Sequence, residues 1–200
     1  DAFWMWVKIV VACIPAVVYG LLFDDAVSEA FKKEIGTSGV TIQVIVVAVM
    51  LVLVGVLFIV IENWNKNRVP TTTTLSQLTY RDALIIGFCQ LLAAALPGTS
   101  RSGATILGAI MIGISRTVAA EFTFFLAIPV MFGASLLKFG FAFTGMELAC
   151  LLVGTVISFI VSLFVLRFLM GYIKKHDFKV FGWYRIVLGI IVLLYFLVFA

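Results

Sequence analysis

A chain of 200 residues that is 64% hydrophobic and only 12% charged has too little polar surface to face water, since soluble domains carry about 45–50% apolar and about 25% charged residues. Its formal net charge of +4 is modest, and no basic groove with interleaved stacking residues is present, which excludes nucleic acid as a partner. Cys13, Cys89 and Cys150 each sit in an apolar stretch and read as small core hydrophobes, and the lone His176, in a basic loop, excludes a His-based metal cage or a two-histidine phosphatase.

The expected fold is all-α: a polytopic membrane protein of about five transmembrane helices plus one re-entrant helix-turn-helix hairpin, forming a single membrane domain over 1–200. The chain opens at Asp1 and runs straight into Phe3-Trp4-Met5-Trp6, unlike a secretory leader, and is expected to be a piece whose upstream part is missing. Residues 2–23 are a first span, interrupted only by Lys8 and Pro15, with Trp4 and Trp6 suited to an interfacial belt. Residues 24–36 are charged with apolar positions at helical spacing, which predicts an interfacial helix ending at Gly36. A valine-rich apolar run, 41–61, is a second span. Residues 62–80, with Asn63, Asn65, Lys66, Arg68, Pro70 and four threonines, are expected to form a polar connecting loop.

Residues 81–114 differ in kind. Two apolar runs of about a dozen residues, 83–96 and 104–114, flank a polar Pro-Gly turn, and neither is comfortably long enough to cross a bilayer alone. Paired short segments broken by Gly and Pro predict a hairpin that dips to the midplane and returns, its irregular backbone lining a cavity. Three more spans follow at 117–139, which contains Glu121 and a kink expected at Pro129, at 147–170 and at 183–200, with a basic loop over 171–182. If the hairpin returns to the side it entered, one face collects Lys66, Arg68, Arg81, Arg116, Arg167, Lys174, Lys175, Lys179 and Arg185, leaving Lys32, Lys33 and Lys138 on the other. This asymmetry supports re-entry and places the hairpin ends in the cytoplasm.

The chemistry concentrates in Pro97-Gly98-Thr99-Ser100-Arg101-Ser102-Gly103-Ala104-Thr105. Thr99 or Ser100 is a plausible N-cap, and the free N–H groups of a helix start, with the helix dipole behind them, make an anion site. Gly98 and Gly103 allow close approach to the backbone. Arg101 offers a planar fork that matches phosphate oxygens, and Thr105 shares its helical face. Ser100 and Ser102 point to different faces, and Ser100 is favoured as the one that meets the ligand. A charge at this depth costs about 2.5–3.5 kcal/mol or more on insertion scales, so Arg101 is expected to serve an anion. The alternative is a helix-pinning pair with an acid such as Glu121, itself either a functional carboxylate or such a partner. Gln90 reads equally as a hairpin-interior group or as an interhelical hydrogen-bonding residue.

Gln90 through Thr105, with Gly113, Ser115, Arg116, Ala119, Glu121, Phe122 and Phe124 downstream, resembles undecaprenyl pyrophosphate phosphatase, the bacitracin-resistance family. The similarity runs along the whole chain, including Ile14-Pro15-Ala16 and Leu21-Leu22-Phe23. The resemblance implies a bacterial inner-membrane enzyme that removes the terminal phosphate of undecaprenyl diphosphate and so recycles the lipid carrier for cell-wall synthesis. It also implies inverted repeats, a site opening toward the outer leaflet, and a divalent cation, Mg or Ca, as cofactor; a homodimer is compatible with it. The family's serine, arginine and threonine fall on Ser100, Arg101 and Thr105, its catalytic set. Pro97, Gly98, Thr99, Ser102, Gly103, Gln90 and Glu121 are the expected substrate-binding residues. One departure is large: the family's Glu-x-x-x-Glu segment leading into Pro-x-Ser-Ser-x-Gly-His has no match here. That segment belongs to the family's first repeat; Gln90 to Ser100 looks like its second-repeat counterpart, with Gln90 and Ala94 at the places of the two glutamates, so metal ligands and the general acid/base are unassigned. A transporter of a lipid phosphate or organic anion is the alternative function, because broken helices in inverted repeats are also a transporter design.

Overall fold

Long apolar runs leave backbone N–H and C=O groups no partner in lipid except one another, and the chain answers with helices. The computed structural model describes residues 2–22, 39–138 and 145–199. Seven α-helices are described: α1 (Ala2–Leu22), α2 (Gly39–Asn65), α3 (Tyr80–Ala95), α4 (Arg101–Met111), α5 (Arg116–Lys138), α6 (Gly145–Ile173) and α7 (Lys179–Phe199). The interfacial helix expected over 24–36 lies outside the described residues. Five of the helices (α1, α2, α5, α6 and α7) are long and apolar enough to cross a membrane, so the chain is a multi-pass, all-α membrane protein. By contrast α3 and α4 have 16 and 11 residues, which is about 24 Å and about 17 Å of helix against a hydrocarbon core of about 30 Å.

These two short helices pack against each other as a hairpin. The start of α3 is fixed by a capping box, in which the Thr79 hydroxyl accepts from the Asp82 N–H and the Asp82 carboxylate accepts from the Thr79 N–H. The segments entering and leaving the hairpin meet: the Thr71 N–H donates to the Gly113 carbonyl at 2.9 Å and the Ser115 N–H to the Thr72 carbonyl at 2.9 Å. They form an isolated parallel bridge between Thr72 and Ile114. Gly113, at φ +92°, supplies the left-handed conformation this exit turn needs. Both ends of the hairpin therefore lie at one end of the bundle, and the polar turn lies at the other.

The same end carries a buried ionic latch. The side chain of Glu62, fully buried on α2, accepts from the Arg116 Nε at 3.0 Å and from the Phe178 N–H at 3.2 Å, tying α2 to the starts of α5 and α7. Asn65 donates to the Ile110 carbonyl at 2.8 Å. Residues 62–65 thus belong to α2 rather than to a connecting loop, because Glu62 finds buried partners that sequence alone does not show. The remainder of the loop, anchored through Thr71 and Thr72, includes a short 3-10 turn at Leu75–Gln77.

Small residues let the helices approach closely, the usual interface chemistry in lipid. Gly87 of α3 lies against the Ala12 backbone of α1, Gly108 of α4 against Cys89 of α3, and Gly55 of α2 against Gly182 of α7. Between them sits a core that includes Ile9, Ala12, Phe58, Ile86, Leu107 and Phe122. Cys13 joins this core, whereas Cys150 is exposed on α6, so the reading of all three cysteines as core residues holds unevenly. From Gly145 to Phe168, α6 is exposed on every side among the described residues.

Candidate functional site

Helix α3 ends at Leu96, whose N–H donates to the Leu92 carbonyl at 3.1 Å. Pro97 cannot continue that ladder, and Gly98 then turns the chain at φ +88°. A Cβ on Gly98 would meet the Val47 carbonyl oxygen at 2.8 Å, so both the backbone angle and the close approach require glycine. Val47 is about 27 Å along α2 from Asn65 and about 6 Å from Gln43, where the apolar span begins. Along α2 the turn therefore lies nearer the Gln43 end than the Asn65 end.

Ser100 caps α4: its backbone is extended and its hydroxyl accepts from the Gly103 N–H at 3.2 Å. The Ser102 hydroxyl stands 3.1 Å from that of Ser100. The N–H groups of Arg101 and Ser102 take no acceptor among the described residues, leaving an open donor pair at the positive end of the helix dipole. The Arg101 side chain, half-buried, forms no ion pair among the described residues. Thr105 is buried; its hydroxyl faces the carbonyls of Arg101 and Ser102 at 3.0 and 3.1 Å and accepts from Thr123 of α5 at 3.2 Å. It thereby fixes the first turn of α4 against α5.

Arg185, counted above with the basic loops, comes to this turn instead. It lies six residues inside α7, about 9 Å from Lys179, and its Nη2 approaches within 3.5 Å of where a Gly103 Cβ would stand. Its Nη1 is buried with no hydrogen-bond partner, and its guanidinium sits 5.7 Å from the Phe58 ring centroid. An arginine inside an apolar run was the signal for it, by the insertion-cost argument already applied to Arg101. The Thr99 hydroxyl is also buried without a partner, as are both amide atoms of Gln90, which is 2% exposed on α3.

Glu121 is not brought to the turn. The Thr105–Thr123 bond sets the register of α4 against α5. Arg101 is one turn from Thr105 toward the hairpin tip, and Glu121 is two residues from Thr123 in the other direction, an axial separation of about 9 Å. Glu121 makes no hydrogen bond or ion pair among the described residues, so pinning of α4 to α5 falls to the two threonines. His176 is at the opposite end, stacked on Tyr172 with ring centroids 4.3 Å apart.

Two arginines, three hydroxyls and a capped helix start make a receptor for an anion with several oxygens. Among the described residues no carboxylate or imidazole is bonded to it. No group of three His, Cys, Asp or Glu among the described residues could hold a metal ion, and arginines near the turn repel a cation, so the described residues do not fit a divalent metal.

Known proteins are similar to this chain. The family described as bacitracin resistance protein BacA matches residues 1–191. An undecaprenyl-diphosphatase of Desulfitobacterium hafniense is 62% identical over 195 residues, 96% of this chain and 66% of that protein. An undecaprenyl-diphosphatase of Enterococcus faecalis is 57% identical over 197 residues, 97% and 67% respectively. Undecaprenyl-diphosphatase 1 of Clostridium acetobutylicum is 54% identical over 201 residues, 99% and 70%. The chain thus spans about two thirds of the length of the curated relatives it matches.

Proposed function

The chain belongs to the BacA bacitracin-resistance family, and from that premise we propose that the protein hydrolyses undecaprenyl diphosphate to undecaprenyl phosphate and inorganic phosphate, recycling the lipid carrier for peptidoglycan synthesis and conferring bacitracin resistance. The observation that carries this reading is that Arg101 stands on, and Arg185 reaches, the first turn of the Ser100-capped α4, with neither in an ion pair among the described residues. Two uncompensated guanidinium groups inside an apolar bundle are costly unless an anion joins them, and a diphosphate brings the charge and the oxygens.

In this reading Arg101 grips the terminal phosphoryl group with its two-pronged fork, Arg185 meets the neighbouring oxygens across Gly103, and the Arg101 and Ser102 N–H groups bind charge that builds as the anhydride bond breaks. Water attacks the terminal phosphorus, its oxygen ends in inorganic phosphate, and the bridging oxygen leaves with the lipid. Ser100 holds the helix start open to the ligand and Thr105 holds it in register. Groups that move the proton, and carboxylates for a divalent cation (Mg or Ca), are assigned to the part of the whole protein beyond these residues. Re-entry of the α3–α4 hairpin is supported by the bonds that join its two ends. An inner-membrane location with the turn toward the outer leaflet is supported by its distance from the basic loops.

Phosphate release from undecaprenyl diphosphate by the full-length protein and its Arg101→Lys variant tests this. Turnover should fall by at least about a hundredfold, because a lysine point charge does not reproduce the planar fork; unchanged turnover would remove Arg101 from the site. Movement of a lipid phosphate or organic anion with no phosphate release would favour the transporter reading instead.

A further inference from the structure

At the end of the bundle opposite the Arg101 turn, a cavity of about 570 Å3 opens between the end of α2, the exit of the hairpin and the start of α5. Lys66, Arg68 and Lys174 line it, and none of the three forms an ion pair among the described residues. Arg116 also lines it, but its charge is matched by Glu62. No carboxylate is in the lining. The guanidinium carbon of Arg68 lies over the Trp64 ring, 3.7 Å from its centroid, a cation–π contact that holds the group in place. The floor includes the first turn of α5, a helix of 23 residues. There the Ser115 hydroxyl accepts from the Val118 N–H, while the Arg116 and Thr117 N–H groups take no acceptor among the described residues.

A preference for basic residues at one membrane face accounts for lysines at this end. It does not account for three unmatched cations around a single concavity that has free helix-start N–H groups in its floor and no acid in its wall. We propose that this cavity is a second anion site, which binds a phosphate ester. Its volume falls in the range of small-molecule sites and exceeds what a bare phosphate ion fills, so the ester's alcohol enters with it. An anionic lipid headgroup and a soluble phosphate ester offer the same chemistry here. The site does not depend on the diphosphatase reading, since none of its residues belongs to the Arg101 turn.

The test uses the full chain in nanodiscs of phosphatidylcholine doped with phosphatidylglycerol, with retained phosphatidylglycerol counted by native mass spectrometry. The Lys66→Gln/Lys174→Gln variant should retain at least about tenfold less, given the worth of each basic residue toward an anionic headgroup. The Arg81→Gln/Lys175→Gln variant, with the same net charge, should change less than about twofold. Glycerol 3-phosphate that displaces the lipid from the wild type identifies a site open to soluble esters; failure to displace it identifies a headgroup site. Equal losses in the two double variants, or no retention by the wild type, would overturn the proposal. Circular dichroism melting checks that both variants are folded, and if the cavity variant is not, Lys174→Gln against Lys175→Gln makes the same comparison with one charge.

Discussion

Arg101 and Arg185 share a chemistry and reach the turn by different routes. Arg101 begins α4 itself, whereas Arg185 crosses from α7 through the space Gly103 leaves open. A side chain at Gly103 would meet Phe58 at 3.3 Å and the Arg185 guanidinium at 3.5 Å, so Gly103→Val should push the Arg185 guanidinium away from the first turn of α4. Arg185→Gln in the full-length protein is expected to lower kcat/KM for undecaprenyl diphosphate by about ten- to a thousandfold, in line with loss of a charged hydrogen-bonding partner to an anion; an unaltered value would take Arg185 out of the site. Glu62 acts on stability instead. Its side chain is fully buried beneath a half-exposed Arg116, and Glu62→Ala leaves the Arg116 charge and the Phe178 N–H without their acceptor. A loss of about 3 kcal/mol is expected, visible as a lower midpoint in detergent-solubilised thermal unfolding, and a wild-type midpoint would show that the latch is idle.

Helix contacts depend on a few positions with no side chain. Gly98 carries a positive φ and touches the Val47 backbone, so Gly98→Ala combines backbone strain of about 1 kcal/mol or more with a clash. It should cut phosphate release by tenfold or more while α2 and α7 stay packed. Gly182 is within a Cβ's reach of the Gly55 carbonyl at 2.7 Å, and Gly182→Leu is expected to separate α7 from α2 and withdraw Arg185 with it. Gly133, with nothing within 4 Å, serves as the control, and Gly133→Ala should leave both unfolding and turnover unchanged. A Gly182→Leu protein as stable as that control would show that the helices do not need the close approach.

For the whole molecule, the fold sets two polar regions at opposite ends of one short hairpin. The Arg101 turn is at the tip, and the Glu62 latch and the basic cavity are at the base. Single cysteines at Lys66 and Lys175 in an otherwise cysteine-free protein are expected to react with impermeant maleimide from the cytoplasmic side alone, and a cysteine at Thr99 only from the outside. Labelling of Thr99 and Lys66 positions from the same side would contradict a hairpin that spans most of the bilayer depth.

Much of this was legible in the sequence because bilayer thickness and the cost of unpaired backbone constrain helices before any tertiary contact forms. The five long helices, the two short ones, a cap at Thr99 or Ser100 and the Gly98 turn all follow from local composition and from what proline, glycine and serine do to a backbone. Which side chains from distant helices meet the turn did not follow from it. Arg185 read as a loop-flanking cation, Glu62 as part of a connector and Glu121 as a substrate-binding residue with pairing to Arg101 as the alternative, since each assignment turned on helix register and rotation. Glycine contacts set those quantities, through Gly55 with Gly182 and Gly108 with Cys89, together with the Thr105–Thr123 bond. The sequence by itself determined a capped, hydroxyl-rich helix start that carries an arginine inside an apolar bundle; tertiary packing decided that a second arginine stands beside it, because only close helix approach brings a side chain of α7 to the first turn of α4.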